Sequence, residues 1–393
     1  MENRTGLFTN AVIWFGVAIS VSEIEAGIQI GSSPSLWVPL VLGHIIGAIL
    51  LFLVGYIGAS VRLNAMEMTA STFGKYGSKF FAVLNVMQLV AWVAVLNAQG
   101  ASALSSLNLP ISLPVICIIL AAFIALWVYM GLQKMAKITT VVMVILTGLL
   151  VLLTFKLWGF SSPAATLSSH PALGFWNIFE ISIAMPISWL PVISDYTKDV
   201  EKPMKATLIS AAAYSLASLW MYFIGVEIAN IGASYTIAQA ILLANLGTSG
   251  IIIVALSTVT TNFLAANSAG ESSKVIFSKI DPKIAGVAVS AISAVLAISG
   301  IMNHYIDFLY LIASVFAPMA SVLLVSFYLS KNQKNNAKTW YWNMFAWLCG
   351  FVVYNITISL DSIVLGPTLL AIIISALLTY AKVLLDNKKL QKA

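Results

Sequence analysis

The sequence predicts an all-α polytopic membrane protein of twelve transmembrane helices, with helices 1 and 6 discontinuous. Composition, the length of the apolar blocks and the placement of the cations carry that prediction. The chain has 393 residues, 60% hydrophobic and 9% charged, with mean hydropathy +0.97. A soluble domain is about half apolar and about a quarter charged, so this chain has too little polar surface to face water all round. Its apolar blocks run to roughly 20 residues, enough to cross about 30 Å of hydrocarbon. Strict period-2 alternation, the signature of a membrane barrel, is absent, which leaves helices as the form that satisfies its backbone in lipid.

The blocks fall near 8–30, 36–58, 79–105, 112–130, 136–158, 172–194, 204–228, 249–269, 284–300, 304–329, 340–358 and 363–385. Arg4 precedes span 1, and Arg62, Lys75 and Lys79 follow span 2. Lys134 and Lys137 follow span 4, and Lys198, Lys202 and Lys205 follow span 6. Lys274, Lys279 and Lys283 follow span 8, Lys331, Lys334 and Lys338 follow span 10, and four lysines close the chain. Apart from Lys156 at the rim of span 5, the intervening loops carry none. By the positive-inside rule every basic loop is cytoplasmic, both termini lie there, and the chain is expected in the cell membrane. The net charge of +6 is thereby absorbed by topology. It implies a lipid bilayer as partner, with no nucleic acid and no obligate protein partner expected.

The first block lacks a small-residue cleavage site and is expected to be retained. Cys117 and Cys349 both fall in apolar blocks and are expected to be small buried hydrophobes. Residues 58–77 are mixed and predict an interfacial helix inside; 230–250 are mildly apolar and predict a segment against the outer rim.

Span 1 carries "SVSEIEAG", placing Ser20, Ser22, Glu23 and Glu25 inside an apolar run. Span 6 reads "FEISIAMPISWLPVISDYT", with Glu180 early, Pro186 and Pro191 within, and Asp195 at the exit. An internal proline removes a backbone hydrogen bond and clashes with the preceding turn. Spans 1 and 6 are five apart, so they enter from opposite faces. Interruptions at matching places in two oppositely oriented halves point to an inverted-repeat transporter. The chain is then not split into domains: 8–158 form one repeat, 172–329 the other, and 340–385 supply helices 11 and 12 outside them.

Candidate site residues follow from polar groups inside spans. Asn85, Gln88, Trp92 and Gln99 share one face of span 3. Trp92 lies near mid-span, away from the interface where membrane tryptophans gather, and with amides beside it suits stacking on a flat polar ligand. Span 8 reads "ALSTVTTNFLAANSAGESS", a density of hydroxyls that suits a hard cation. Glu23 and Glu25 are about 200° apart around a helix, so an unbroken helix cannot aim both at one site, and spacing does not choose between them. Intramembrane carboxylates are functional candidates by default. Glu227 and Asp307 fall at outer ends. His44, His170 and His304 are too dispersed for a metal cluster, which argues against an intramembrane enzyme.

At "IWFGVAIS" (span 1), "AWVAVLNAQGA" (span 3), "SWLPVISDYTKD" (leaving span 6) and "STVTTNFLAANSAG" (span 8) the chain resembles the nucleobase–cation symporter-1 family of purine, cytosine, allantoin and hydantoin permeases. Its short, CytX-type hydroxymethylpyrimidine transporters are the nearest match. The resemblance implies a LeuT-like 5+5 inverted-repeat fold with alternating access and no cofactor. It implies a coupling ion, Na+ with H+ as the alternative, held by the carbonyls of Gly16, Ile19 and Ser257 and the hydroxyls of Thr260 and Thr261. It also implies that two tryptophans sandwich the substrate ring. Trp92 matches the first; the register set by Asp195 puts Pro186 at the second, with Trp189 one turn later. Ser20, Leu96 and Ala266 replace ring-reading amides of the family, with Asn267 beside the last. The cation positions match better than the ring-reading ones, which implies a ligand other than a hydantoin.

The expectation is a cation-coupled importer of a small neutral pyrimidine, hydroxymethylpyrimidine above cytosine or another nucleobase. Trp92 would stack the ring, and Ser20, Gln88, Asn97 and one of Glu23 or Glu180 would read its edge. A channel is the remaining alternative from a different class.

Overall fold

The structure, a computed structural model, describes residues 4–31, 33, 35–108, 110–158, 173–232, 236–243, 245–330, 340–360 and 365–392. Span 1 is broken in two. Its first half, α1 (Leu7–Ala18), and its second, α2 (Val21–Ile30), meet at 50° across Ile19 and Ser20. Ser20 caps α2: its hydroxyl accepts from the Glu23 amide at 3.4 Å, the role for which serine is favoured at a helix start. α3 (Trp37–Val61) is span 2, followed by the short α4 (Ala65–Met68) and by α5 (Ala70–Ser105), which is span 3. α6 (Leu113–Met130) and α7 (Leu132–Trp158) complete the first five spans.

Span 6 is broken as well. α8 (Phe175–Ser188) stops two residues past Pro186, and the chain resumes as α9 (Ile193–Thr197). Then come α10 (Pro203–Ile231), α11 (Ile237–Leu243), α12 (Gly247–Ile276), α13 (Pro282–Ile298), a 3₁₀ turn over Ile301–His304, α14 (Tyr305–Leu329), α15 (Trp340–Thr357) and α16 (Pro367–Lys392). These fall one for one on the twelve predicted spans. Among the described residues, seven helices are by themselves long and apolar enough to cross a membrane, and the bent α1–α2 pair makes eight. α11 is the segment expected at the outer rim.

One expectation shifts. The interfacial helix expected over 58–77 shrinks to α4, because α3 continues to Val61 and ends on Arg62 in the left-handed conformation (φ 61°). Asn64 then caps α4, accepting from the Glu67 amide at 2.8 Å, and Gly74 (φ 68°) bends the entry to α5. On this face the Arg62 guanidinium donates to the carbonyls of Lys198 and Val200 at 2.8 and 2.7 Å. Thr5 lies alongside, its amide donating to Asp199 and its carbonyl accepting from Glu201. The chain ahead of α1 is thus tied to the exit of span 6.

The second half-helix of span 1, α2, lies directly on α10 through two glycines. A Cβ on Gly225 would stand 2.1 Å from the Ile24 carbonyl, and one on Gly27 would stand 2.4 Å from the Tyr222 carbonyl. Small residues at such crossings let backbones touch, the usual device of helix association in lipid. Gly225→Val should therefore force α2 off α10. Overpacking of this kind costs about 1–3 kcal/mol, and the expected result is a melting temperature several degrees lower for the purified variant by tryptophan fluorescence.

Candidate functional site

Both breaks face one another across a small cavity. From the first come Val17, Ser20, Ser22 and Glu23; from the second, Met185, Ser188 and Trp189. α5 contributes Leu89, Trp92 and Leu96, and α12 contributes Thr261 and Ala265. The cavity is about 20 Å³, room for a water and not for a ring.

The aromatic question left by the sequence is answered by packing. Pro186 turns away: a Cβ on Gly47 of α3 would meet its ring at 2.2 Å. Trp189 instead reaches the cavity, backed by Trp14 and Tyr214 at 5.8 and 6.4 Å between ring centroids. Trp92 lines the opposite side, 8% exposed, with Phe308 edge-on at 5.1 Å. Two tryptophans therefore border the space.

The amides of α5 do something other than read a ring. Gln88 Nε2 donates to the Ser188 carbonyl at 3.0 Å and to Asn85 Oδ1 at 2.8 Å. Asn85 Nδ2 donates to the Pro191 carbonyl at 3.0 Å. Both amides thus serve the carbonyls that the span-6 break releases, in a medium where an unmade backbone bond is expensive.

Three other expected ring readers are not brought to the cavity. Asn97 donates to the Cys117 carbonyl of α6 at 3.0 Å. Asn267 lies beside the Tyr196 hydroxyl. Glu180 points away from the cavity to α15 and α16, its carboxylate accepting from the Thr368 amide at 3.0 Å, the Thr368 hydroxyl and the Tyr354 hydroxyl at 3.3 Å. In each case a nearer backbone or hydroxyl partner satisfies the group. Glu25 accepts from Gln29 at 2.9 Å along α2 and does not line the cavity.

Glu23 is the carboxylate that does. It is 2% exposed, and its two oxygens accept from the hydroxyls of Tyr214 and Ser218 on α10, each at 2.7 Å. Ser22 beside it donates to Gln99 Oε1 at 2.6 Å, leaving the buried Gln99 Nε2 without a protein partner. Tyr214, Ser218 and Ser22 were missed from sequence. The signal was present for the first two: Tyr214, Ser218 and Tyr222 stand at i, i+4 and i+8, a polar stripe on one face of span 7.

The residues assigned to a cation fit that chemistry in part. In an unbroken helix the Ser20 amide would bond the Gly16 carbonyl and the Glu23 amide the Ile19 carbonyl. Here the first donates to Ala18 at 2.8 Å and the second to the Ser20 hydroxyl. The break thus strips the intrahelical donor from both carbonyls. Thr261 Oγ1 on α12 is buried with no protein partner, and Thr260 beside it is 2% exposed. Ser257 lies on α12 where side chains are outside the described residues.

The comparisons with known proteins agree with this arrangement. The model of a family described as permease for cytosine/purines, uracil, thiamine, allantoin matches residues 1–385. The chain belongs to this permease family. No curated protein sequence matches the chain. Among solved structures, Mhp1 in an inward-facing conformation superposes with TM-score 0.77 at 20% identity, covering 98% of this chain and 92% of Mhp1. A closed Mhp1, named as a nucleobase–cation symporter-1 transporter with bromovinylhydantoin bound, gives 0.75 at 20% identity over 97% and 92%. A Na+-coupled sialic acid symporter in a substrate-bound outward-open state gives 0.73 at 14% identity over 98% and 91%. The permease accordingly has the LeuT-like fold of a multi-pass membrane transporter and is not an enzyme.

Removing the amides that clamp the span-6 break should loosen it. Leaving a buried acceptor unpaired costs about 1–3 kcal/mol, so Asn85→Ala and Gln88→Ala should each lower the melting temperature of the purified permease. Proteolysis between residues 188 and 193 should speed up in parallel.

Proposed function

We propose that the permease imports a small neutral pyrimidine, hydroxymethylpyrimidine, by sodium-coupled alternating access. Repeats 8–158 and 172–329 move about the two breaks. The termini lie on the cytoplasmic side of the cell membrane, and the chain resembles CytX-type transporters. The observation that carries the reading is the cavity bordered by Trp92 and Trp189, with Ser20, Ser22 and Glu23 on one wall. Flat tryptophan faces hold a planar ring, and the hydroxyls and carboxylate supply partners for an amino group beside a ring nitrogen. The cavity is too small for a ring as it stands, so α2 and the end of α8 must part for one to enter.

The sodium ion is placed between the Gly16 and Ile19 carbonyls and the hydroxyls of Thr260 and Thr261, with the Ser257 carbonyl beside them. The released carbonyls and the partnerless Thr261 hydroxyl support that assignment. A cation bridging α1 and α12 favours whichever state holds those two helices together, and so links the gradient to the conformational cycle.

Labelled hydroxymethylpyrimidine should accumulate in proteoliposomes under an inward sodium gradient and not without one. Cytosine displacing the label equally well would reassign the ligand to a nucleobase, and non-saturable flux would indicate a channel. Trp92→Ala should weaken binding by about ten- to a hundredfold, the range for losing one stacking surface. Thr261→Val should raise the sodium concentration for half-maximal uptake by roughly tenfold, as expected for a lost bond to a charge.

A further inference from the structure

His44 of α3 is used by neither the pocket nor the cation site, yet it is fully buried and continues from Glu23. Its Nε2 lies 2.7 Å from Ser218 Oγ, the hydroxyl that donates to Glu23 Oε2 at 2.7 Å. Its Nδ1 lies 2.7 Å from Ser182 Oγ on α8 and, more distantly, 3.1 Å from the Leu40 carbonyl, to which the Ser182 hydroxyl donates at 2.6 Å. These are four contacts in series: carbonyl to Ser182, Ser182 to Nδ1, Nε2 to Ser218, Ser218 to carboxylate. At such lengths each needs one hydrogen between its heavy atoms. Two serine hydroxyls supply two, and a neutral imidazole supplies one. The fourth hydrogen is therefore an added proton.

We infer that Glu23, Ser218 and His44 form a binding site for one proton, shared between carboxylate and imidazole through the Ser218 hydroxyl. With the proton on the ring, both nitrogens donate and Ser218 points at Glu23. With it on the carboxyl, Ser218 turns to Nε2 and no heavy atom moves. When the proton leaves from Nδ1, the Ser182 hydroxyl rotates from Leu40 to the ring, and the remaining three hydrogens fill three contacts. The group's net charge then passes from zero to minus one.

The other titratable groups packed against it are already committed. Tyr214 donates to Glu23 Oε1 at 2.7 Å, Tyr222 to the Ile181 carbonyl at 2.8 Å and Tyr305 to the Ser22 carbonyl at 2.7 Å. Glu25 is bonded by Gln29 on α2, and Glu180 of α8 turns to Tyr354 and Thr368. The recorded ion pairs among the described residues are elsewhere, at His304–Asp307 and Lys382–Asp386. Glu23 rides on α2, while Ser218, His44 and Ser182 ride on α10, α3 and α8. Parting α2 from α10 breaks the series at Ser218, so proton occupancy is linked to the position of the outer half of span 1. That coupling role rests on the transport reading above; the proton site itself does not.

Two measurements on the full chain separate the claims. With His170→Gln and His304→Gln, the purified protein keeps His44 alone for ¹⁵N NMR from about pH 5 to 8, the window in which imidazoles switch. We expect its nitrogens to pass from a doubly protonated to a singly protonated pattern, and Glu23→Gln to remove the doubly protonated form. Shifts of one neutral tautomer throughout, with Glu23 intact, overturn the site. In proteoliposomes at a fixed sodium gradient, accumulation of the labelled pyrimidine should change by up to about tenfold per unit of outside pH, the energy equivalent of one proton. His44→Gln, which keeps a donor and an acceptor and should elute as the wild type does, should flatten that profile while sodium dependence persists. A pH-independent wild type overturns the coupling. Titrating NMR signals with no uptake at all would sink the transport reading and leave the proton site standing.

Discussion

The controlling constraint is that backbone released inside a bilayer must be bonded by something other than water. The permease releases it twice, at Ile19–Ser20 and after Ser188, and answers differently each time. At the second break the protein supplies donors itself: Asn85 and Gln88 bring amides to the Pro191 and Ser188 carbonyls. At the first, Ser20 satisfies one amide of its own helix, while the Gly16 and Ile19 carbonyls lose their helical donors, the feature on which the proposed cation site rests. Side chains bond the carbonyls of one break, while two carbonyls at the other go without their intrahelical donors.

The remaining architecture follows from bringing those breaks together. Gly27 and Gly225 let α2 meet α10 backbone to backbone, and that proximity is why the Glu23 carboxylate finds hydroxyls from Tyr214 and Ser218. Gly47 makes room for Pro186, so the proline that ends α8 is spent against α3, and Trp189 takes the cavity. The Glu23 carboxylate is thus held by two hydroxyl donors and the Trp189 ring is backed by Trp14 and Tyr214.

The fold was legible because lipid makes its demands locally. Block lengths and the one-sided lysines identify spans without reference to any partner helix, and the serines of span 1 and prolines of span 6 mark breaks wherever they occur. The site was legible less evenly. Trp92, Ser20 and Glu23 could be named because polar or aromatic groups at mid-span are conspicuous. Asn85, Gln88, Asn97 and Glu180 are conspicuous for the same reason, yet each is taken by a neighbour that sequence does not place: a broken carbonyl, a span-4 carbonyl, the start of α16. His44 shows the converse. It looked isolated among three scattered histidines, because Ser182 and Ser218 lie 138 and 174 residues away and serine in a membrane helix is unremarkable.

The carboxylate of Glu180 bears on the two helices that stand outside the proposed repeats. It joins the first half of span 6 to the first turn of α16 through Thr368, and to α15 through Tyr354. Any swing of α8 must therefore carry the last two helices with it or break a buried hydrogen-bonded joint. The C-terminal hairpin is thereby hydrogen-bonded to α8, and the two would travel as one body.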